Sequence, residues 1–174
     1  PATAAVPLVV GKTAPVVTWA DRSIEWRPAP DAGVWNAEVH TAAGGVVQGA
    51  FVYNPPAGSS LPVGTHVLSV VFTPSGADAA TYDAVTDTMT VVVTRVRPVI
   101  EWAPATPLVF GAPLGPAQYN AQAFGFDGLP LAGTFAYAPA AGTVPPVGQT
   151  VLTARFTPAD PSRYDGAEAS RTIA

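Results

Sequence analysis

Two short stretches of the sequence carry the same pattern and decide the fold. Residues 49–53 read Gly-Ala-Phe-Val-Tyr, and residues 133–137 read Gly-Thr-Phe-Ala-Tyr. Successive side chains of a β-strand point to opposite faces of the sheet, so each stretch places one phenylalanine and one tyrosine on the same face. Each stretch therefore predicts a strand that covers a core with its aromatic face.

The correspondence extends in both directions from these stretches. Upstream, Trp19 pairs with Trp102, because both end a Pro-Val-x-x-Trp run that continues with alanine. Downstream, both copies contain Phe-Thr-Pro, at 72–74 and at 156–158, followed some residues later by Tyr-Asp. Self-similarity at a fixed period indicates a repeat architecture, so the sequence predicts two homologous units of about 83 residues.

The repeat sets the expected domain boundaries. We predict a first domain over 15–96 and a second over 97–174. Residues 1–14 are expected to be a linker, in which 6–10 resemble the last strand of a preceding unit. The second unit stops about two residues before its last strand should finish, so we expect a fragment of a longer array. The linker between the domains is short, and Pro98 restricts the residue before it to an extended conformation.

Periodicity predicts strands rather than helices in both units. Helical spacing is absent, and 20 prolines interrupt every long window. A period of two places Leu68, Val70 and Phe72 on one face, and short Pro/Gly/Asn/Asp turns separate such runs, which is typical of an antiparallel sandwich. The predicted fold class is all-β, with two tandem antiparallel β-sandwich domains. The aromatic residues predicted to fill the cores are Trp19, Phe51, Tyr53, Phe72, Tyr82, Trp102, Phe135, Tyr137, Phe156 and Tyr164.

Composition excludes several classes of function. The chain has 8 Lys and Arg against 12 Asp and Glu, a formal net charge of −4, and so lacks the basic surface that nucleic acid requires. No apolar run approaches the roughly 20 residues that span a bilayer, so we expect no membrane insertion. Without cysteine there is no disulfide framework, thiolate metal site or thiol nucleophile.

The polar residues do not form a catalytic or metal-binding motif. His40 and His66 have no counterpart histidines in the second unit, and no Gly-x-Ser-x-Gly motif is present. The aspartates near Tyr82 and Tyr164 are interpreted as turn residues, and the repeated tyrosines as structural, in the manner of a tyrosine corner. A Ca²⁺ site at Glu101 is disfavoured by the neighbouring arginines. We therefore predict no catalytic residue, no metal ligand and no cofactor.

Three residues remain as a candidate ligand-binding group: Trp26, Arg27 and Trp35. Trp26 is the one indole that the repeat does not require, and exposed aromatic patches usually indicate binding. The competing interpretation is structural, because Trp26 would alternate inward with Ile24 as Phe110 would in the second unit.

The second unit resembles a known family of repeats. The residues that carry the resemblance are Trp102-Ala-Pro-Ala, Phe110-Gly, Gln118-Tyr-Asn-Ala, Gly133-Thr-Phe-Ala-Tyr-Ala-Pro-Ala-Ala-Gly-Thr, Gly148, Phe156-Thr-Pro-Ala-Asp and Tyr164. They are similar to the bacterial immunoglobulin-like repeats often called MBG-type domains. The first unit departs from this pattern where Trp26-Arg27-Pro28 stands in place of Phe110-Gly111.

This resemblance implies an Ig-like sandwich that recurs in tandem in large bacterial cell-surface or secreted proteins. It implies a non-catalytic spacer or adhesion module whose partners are neighbouring repeats in the same chain, with a cell-surface glycan or protein as a further candidate ligand. The alternative is a carbohydrate-binding accessory module of a secreted polysaccharide-active enzyme, which an exposed Trp26 or Trp35 beside polar groups would favour.

Overall fold

The computed structural model describes residues 10–174, which form an all-β protein. The predicted strand at 6–10 lies outside the described residues except for Val10, which is in no strand and is 84% exposed. The chain divides into two compact units. One contains the described residues up to Ile24 together with Pro28–Val93, and the other contains Glu25–Arg27 together with Thr94–Ala174.

Six strands come first in the chain. They are β1 (Val16–Thr18), β2 (Arg22–Glu25), β3 (Glu38–His40), β4 (Gly49–Asn54), β5 (Gly64–Pro74) and β6 (Val85–Thr94). Strands β1 and β3 pair antiparallel, and a second sheet has the order β2-β6-β5-β4, in which β4, β5 and β6 are antiparallel neighbours. A single turn of helix, α1 (Asp78–Thr81), connects β5 to β6.

Five strands follow in the second unit. They are β7 (Val99–Glu101), β8 (Gln122–Phe124), β9 (Gly133–Ala138), β10 (Thr150–Pro158) and β11 (Ala167–Ile173). Strands β7 and β8 pair antiparallel, and the larger sheet has the order β11-β10-β9, again antiparallel throughout. Several antiparallel sheets with almost no helix are consistent with a β-sandwich.

The alternation in the sequence sets the burial of the central strands. In β5, Leu68, Val70 and Phe72 are at most 1% exposed, while Val71, between Val70 and Phe72, is 39% exposed. In β10, Leu152, Ala154 and Phe156 repeat the pattern at 0–1%. One face of each central strand therefore forms a core, as the period of two predicts.

The other predicted core aromatics differ in their burial. Trp19 and Trp102 are buried, and Phe135 and the four predicted core tyrosines are half-buried. The prediction for Phe51 was wrong, because this residue is 36% exposed. It lies opposite Phe72 of β5 on the edge strand β4, which has a neighbouring strand on one side only.

A glycine begins the edge strands β4 and β9 for a steric reason. A Cβ at Gly49 would overlap the ring of Phe72, and a Cβ at Gly133 would overlap the ring of Phe156. The absent side chain lets each ring lie directly against the neighbouring backbone. The matching glycines of the two quoted stretches are thus explained by the same close approach.

A turn precedes β3. A 3₁₀ turn spans Ala32–Val34, and the Asp31 carboxylate accepts a hydrogen bond from the Gly33 N–H at 2.8 Å. This capping bond favours a turn, so the regular strand starts only at Glu38.

Each unit also begins with the same pair of backbone hydrogen bonds. Thr13 donates to the Thr81 carbonyl at 3.1 Å and accepts from the Asp83 N–H at 3.0 Å. Val96 makes the corresponding two bonds, each 2.9 Å, to the residues on either side of Tyr164. The repeated Tyr-Asp pair thus marks the point where the first residues of a unit are held.

Candidate functional site

The two core tryptophans are held by hydrogen bonds to the backbone. The indole N–H of Trp19 donates to the Val34 carbonyl at 3.1 Å, and that of Trp102 donates to the Gln118 carbonyl at 2.8 Å. They are 8% and 5% exposed. A buried donor without an acceptor is costly, so these bonds complete each core and occupy the one polar atom of each indole.

Two tyrosine hydroxyls have matching structural roles. The Tyr53 hydroxyl accepts a hydrogen bond from the Ala37 N–H, and the Tyr137 hydroxyl accepts one from the Ala121 N–H, both at 3.1 Å. Burial raises the pKa of Tyr53, although the bond from Ala37 acts in the opposite direction. These hydroxyls fix the segments that lead into β3 and β8.

Trp35, a candidate ligand-binding residue, is also used structurally. It is 8% exposed, and its indole N–H donates to the Pro55 carbonyl at 3.2 Å. In the second unit the Tyr119 hydroxyl donates to the Pro139 carbonyl at 2.6 Å, and burial raises the pKa of this tyrosine. Trp35 and Tyr119 therefore make equivalent contacts with different side chains.

Trp26 is buried in an aromatic pocket of the second unit. It is 7% exposed, and its ring meets those of Phe126 and Tyr164 edge-on, with centroids 6.0 and 6.2 Å apart. The Arg163 guanidinium lies over the indole, 4.6 Å from its centroid, in a cation–π arrangement. Phe126, Arg163 and Tyr164 are called the Trp26 pocket below. Burial is the main cause that raises the pKa of Tyr164, with a further contribution from Asp127.

Arg27 extends the same packing. Its guanidinium lies 4.9 Å from the centroid of Phe126 and 3.9 Å from the Glu25 carboxylate, and its side chain is 45% exposed. Trp26 and Arg27 thus belong to the second unit, whereas Trp35 belongs to the first. The structure does not provide the exposed indole that sugar stacking on Trp26 or Trp35 requires.

A polar cleft in the first unit was not anticipated from the sequence. Its volume is about 530 Å³, and its polar wall is formed by Arg22, Asn36, Glu38 and Asp87 beside Trp19. The guanidinium of Arg22 donates to the Asn36 side-chain oxygen at 3.3 Å, and its Nε is buried without a partner among the described residues. This group of residues is called the Arg22 cleft.

Strand pairing brings these distant residues together. Thr18 of β1 lies opposite Glu38 of β3, while Asp87 comes from β6. A signal was available in the sequence, because the second unit has uncharged Gln122 and Ala169 where the first has Glu38 and Asp87. Charge in one copy and none in the other shows that the common fold does not require it.

The remaining polar groups are engaged locally. The His40 ring lies 3.4 Å from the Glu38 carboxylate, and a His66 ring nitrogen lies 2.7 Å from the Pro62 carbonyl. The Asp160 pKa is lowered, mainly by the hydrogen bond from the Ser162 hydroxyl. Within residues 10–174, no three His, Asp or Glu side chains gather closely enough to hold a metal ion.

No helix within residues 10–174 is long and apolar enough to cross a membrane. A scan against models of known protein families found no match, and a search of curated proteins also found none.

Proposed function

We propose that this chain is a non-catalytic spacer or adhesion segment made of two tandem Ig-like β-sandwich domains. In this proposal it is part of a longer array in a bacterial cell-surface or secreted protein, and its main partners are neighbouring repeats of the same chain. The observation that carries the proposal is that the two units use their matching residues for the same structural contacts.

The matching contacts are specific. Phe51 faces Phe72 across β4 and β5, and Phe135 faces Phe156 across β9 and β10, with ring centroids 4.9 Å apart in both units. The indole-to-carbonyl and tyrosine-to-amide bonds described above also occur once in each unit. Two unrelated domains would not share this set of contacts, so duplication of one domain is the simplest explanation.

The use of these residues favours a mechanical role over a chemical one. A nucleophile or general acid must be held near a reacting group with its reactivity adjusted by its surroundings. The shared side chains instead fill cores and close turns, with their polar atoms bonded to backbone groups. A segment whose side chains are used in this way is suited to act as a spacer that holds and presents neighbouring domains.

Single-molecule pulling tests the proposal. An extended chain spans about 3.6 Å per residue, so each domain of about 80 residues should lengthen the molecule by roughly 25–30 nm when it unfolds. We expect two such events in the unaltered chain and one in a Trp102→Ala variant. A single event that releases the whole chain would overturn the two-domain proposal.

A carbohydrate-binding accessory module is the second candidate, and the Arg22 cleft is the observation that favours it. Amide, carboxylate and guanidinium groups beside an indole are the groups that orient a polar ligand in a concave site. Glycan-array binding that is lost in Asn36→Ala but kept in Asn120→Ala, the equivalent change in the second unit, would support it. If the unaltered chain binds no glycan on the array, the carbohydrate-binding candidate is wrong.

A further inference from the structure

The outer face of the larger sheet in the first unit carries no charged residue on three of its strands. It consists of the even-numbered residues 50–54 of β4, the odd-numbered residues 65–73 of β5 and the even-numbered residues 86–92 of β6. These positions hold only valine, threonine, serine, alanine and one asparagine. They are called the Val71 face, after the valine on its middle strand.

The valines of this face are exposed although they belong to regular strands in the middle of the sequence. Their exposed fractions range from 39% to 69%, and they are Val52, Val67, Val71 and Val92. Val52 lies directly opposite Val71 in the pairing of β4 with β5, so the two side chains form one apolar row across the strands. The face is therefore apolar over an area that is larger than any single side chain.

The second unit carries charges at the same place. In the first unit one row across the three strands contains Val52, Val71 and Thr86. The matching row across β9, β10 and β11 contains Ala136, Arg155 and Glu168. Both units form the same three antiparallel strands, so the fold itself does not require the row to be uncharged.

We infer that the Val71 face is a docking surface for the same face of a second, separate copy of this chain, related to the first by a two-fold axis. In such a contact the residues near the axis meet their own copies, and a charged residue there would meet a like charge. A face without charges avoids this repulsion. The inference adds a lateral contact between molecules to the proposed spacer role and does not depend on that role.

The partner face has to come from another molecule. Within residues 10–174, the three other sheets each have a charged residue at an exposed strand position, and these residues are Glu38, Glu101 and Arg155. The described chain therefore presents the uncharged face once. A second unit in the same chain cannot supply the matching surface, whereas a second copy can.

The side chains of the face suit packing between two sheets. Sheets that pack face to face lie about 10 Å apart with their side chains interdigitated. Valine and threonine are restricted at χ1 before they are buried, so ordering them costs little entropy. Asp21, beside β6, accepts a hydrogen bond from the Thr90 N–H at 2.7 Å, which places its carboxylate at the edge of the strand rather than over the face.

The size of the face indicates a weak and reversible dimer. Nine residues along β5 and three strands across give a projected area of about 30 by 14 Å, or roughly 400 Å². Side chains make the accessible area larger than this projection, but a stable complex buries about 800 Å² on each partner. We therefore expect a dissociation constant of roughly 0.1–1 mM, in the range of transient contacts.

Sedimentation equilibrium of the full chain tests the inference. Between about 10 µM and 1 mM, we expect the average mass to rise from 17.7 kDa toward twice that value. The test variant combines Val71→Arg with Thr86→Glu, which installs the charged pair of the second unit in the register where that unit already folds. We expect it to associate about tenfold more weakly or less, because both charges would have to lose water in the contact.

The matched control makes the same two kinds of substitution away from the face. It combines Thr143→Glu with Val144→Arg in an exposed loop of the second unit, where Val144 is 52% exposed. We expect this variant to associate as the unaltered chain does.

The other outcomes overturn the inference. A mass of the unaltered chain that stays at 17.7 kDa up to about 1 mM would show that the face does not pair. Association that the Val71 variant keeps, or that both variants lose equally, would place the contact elsewhere. The pulling experiment is made on single molecules, so its two unfolding events do not depend on association. Failure of the docking inference is therefore distinct from failure of the proposed function.

Discussion

Replacing Trp102 by alanine should unfold the second unit and leave the first unit folded. Trp102 is 5% exposed, and it packs against Tyr137 with ring centroids 5.7 Å apart. Burial of an aromatic side chain removes about 150–250 Å² from water, worth roughly 4–6 kcal/mol at about 25 cal/mol per Å². The variant also loses the hydrogen bond to the Gln118 carbonyl, a contribution of about 1 kcal/mol.

These contributions overlap, and the cavity left by the indole partly collapses. We therefore expect the unfolding free energy to fall by about 4–5 kcal/mol, which is at the upper end of the range for replacing a core tryptophan by alanine. A domain of about 80 residues has a total stability of roughly 4–12 kcal/mol, from about 0.05–0.15 kcal/mol per residue. The loss is therefore comparable with the whole stability of the second unit.

Amide NMR spectra and urea titration measure the effect separately in each unit. In Trp102→Ala we expect the second-unit resonances to collapse toward random-coil positions while those around Trp19 stay dispersed. Phe110→Ala is the matched control, because this aromatic residue is 82% exposed and its loss should change the unfolding free energy by only about 0.5 kcal/mol. A Trp102→Ala loss below about 2 kcal/mol, or joint collapse of both units, would refute the reasoning.

Two further changes test the close packing and the buried hydroxyls. Gly133→Ala places a Cβ against a core ring and should lower the unfolding free energy by about 1–3 kcal/mol, whereas Gly115→Ala, with open space around it, should be nearly neutral in urea titration. Burial raises the pKa of Tyr53 and Tyr119, so the folded state keeps these protons where the unfolded chain releases them. Their contribution is complete below about pH 10 and is lost as the pH rises through the folded-state pKa values. In a variant with both Tyr53→Phe and Tyr119→Phe, the unfolding free energy should therefore fall less steeply between about pH 9 and 11. The same dependence on pH as in the unaltered chain would contradict this.

Alternation was a reliable guide where one sheet face is covered along its whole length. The period of two in residues 65–72 and in 150–156 was enough to find buried side chains, because a one-residue slip would expose an entire face. It was less reliable on the edge strand β4, which contains Phe51, and in the turn that contains Phe110. Phe51 and Phe110 continue an aromatic pattern, yet both are exposed, since the pattern gives a direction for the side chain and not the presence of a covering group.

The environment of Trp26 depended on residues that the repeat comparison treated as unremarkable. Phe126 and Arg163 enclose it, but their counterparts in the first unit are Ala42 and Thr81. These substitutions from small to large and from neutral to charged were visible in the sequence. Their meaning depended on which distant residue they would contact, and single-sequence reasoning does not supply that pairing.

The Arg22 cleft shows how the two units can be used to separate folding from function. The second unit forms equivalent strands with Gln122 and Ala169 where the first has Glu38 and Asp87, so neither carboxylate is needed for the sheets. Burying a charged group costs stability, and so does burying a donor that has no acceptor. Among the described residues, the Arg22 Nε is such a donor. The cleft therefore carries carboxylates that the common fold does not require, together with one buried donor that has no partner among the described residues.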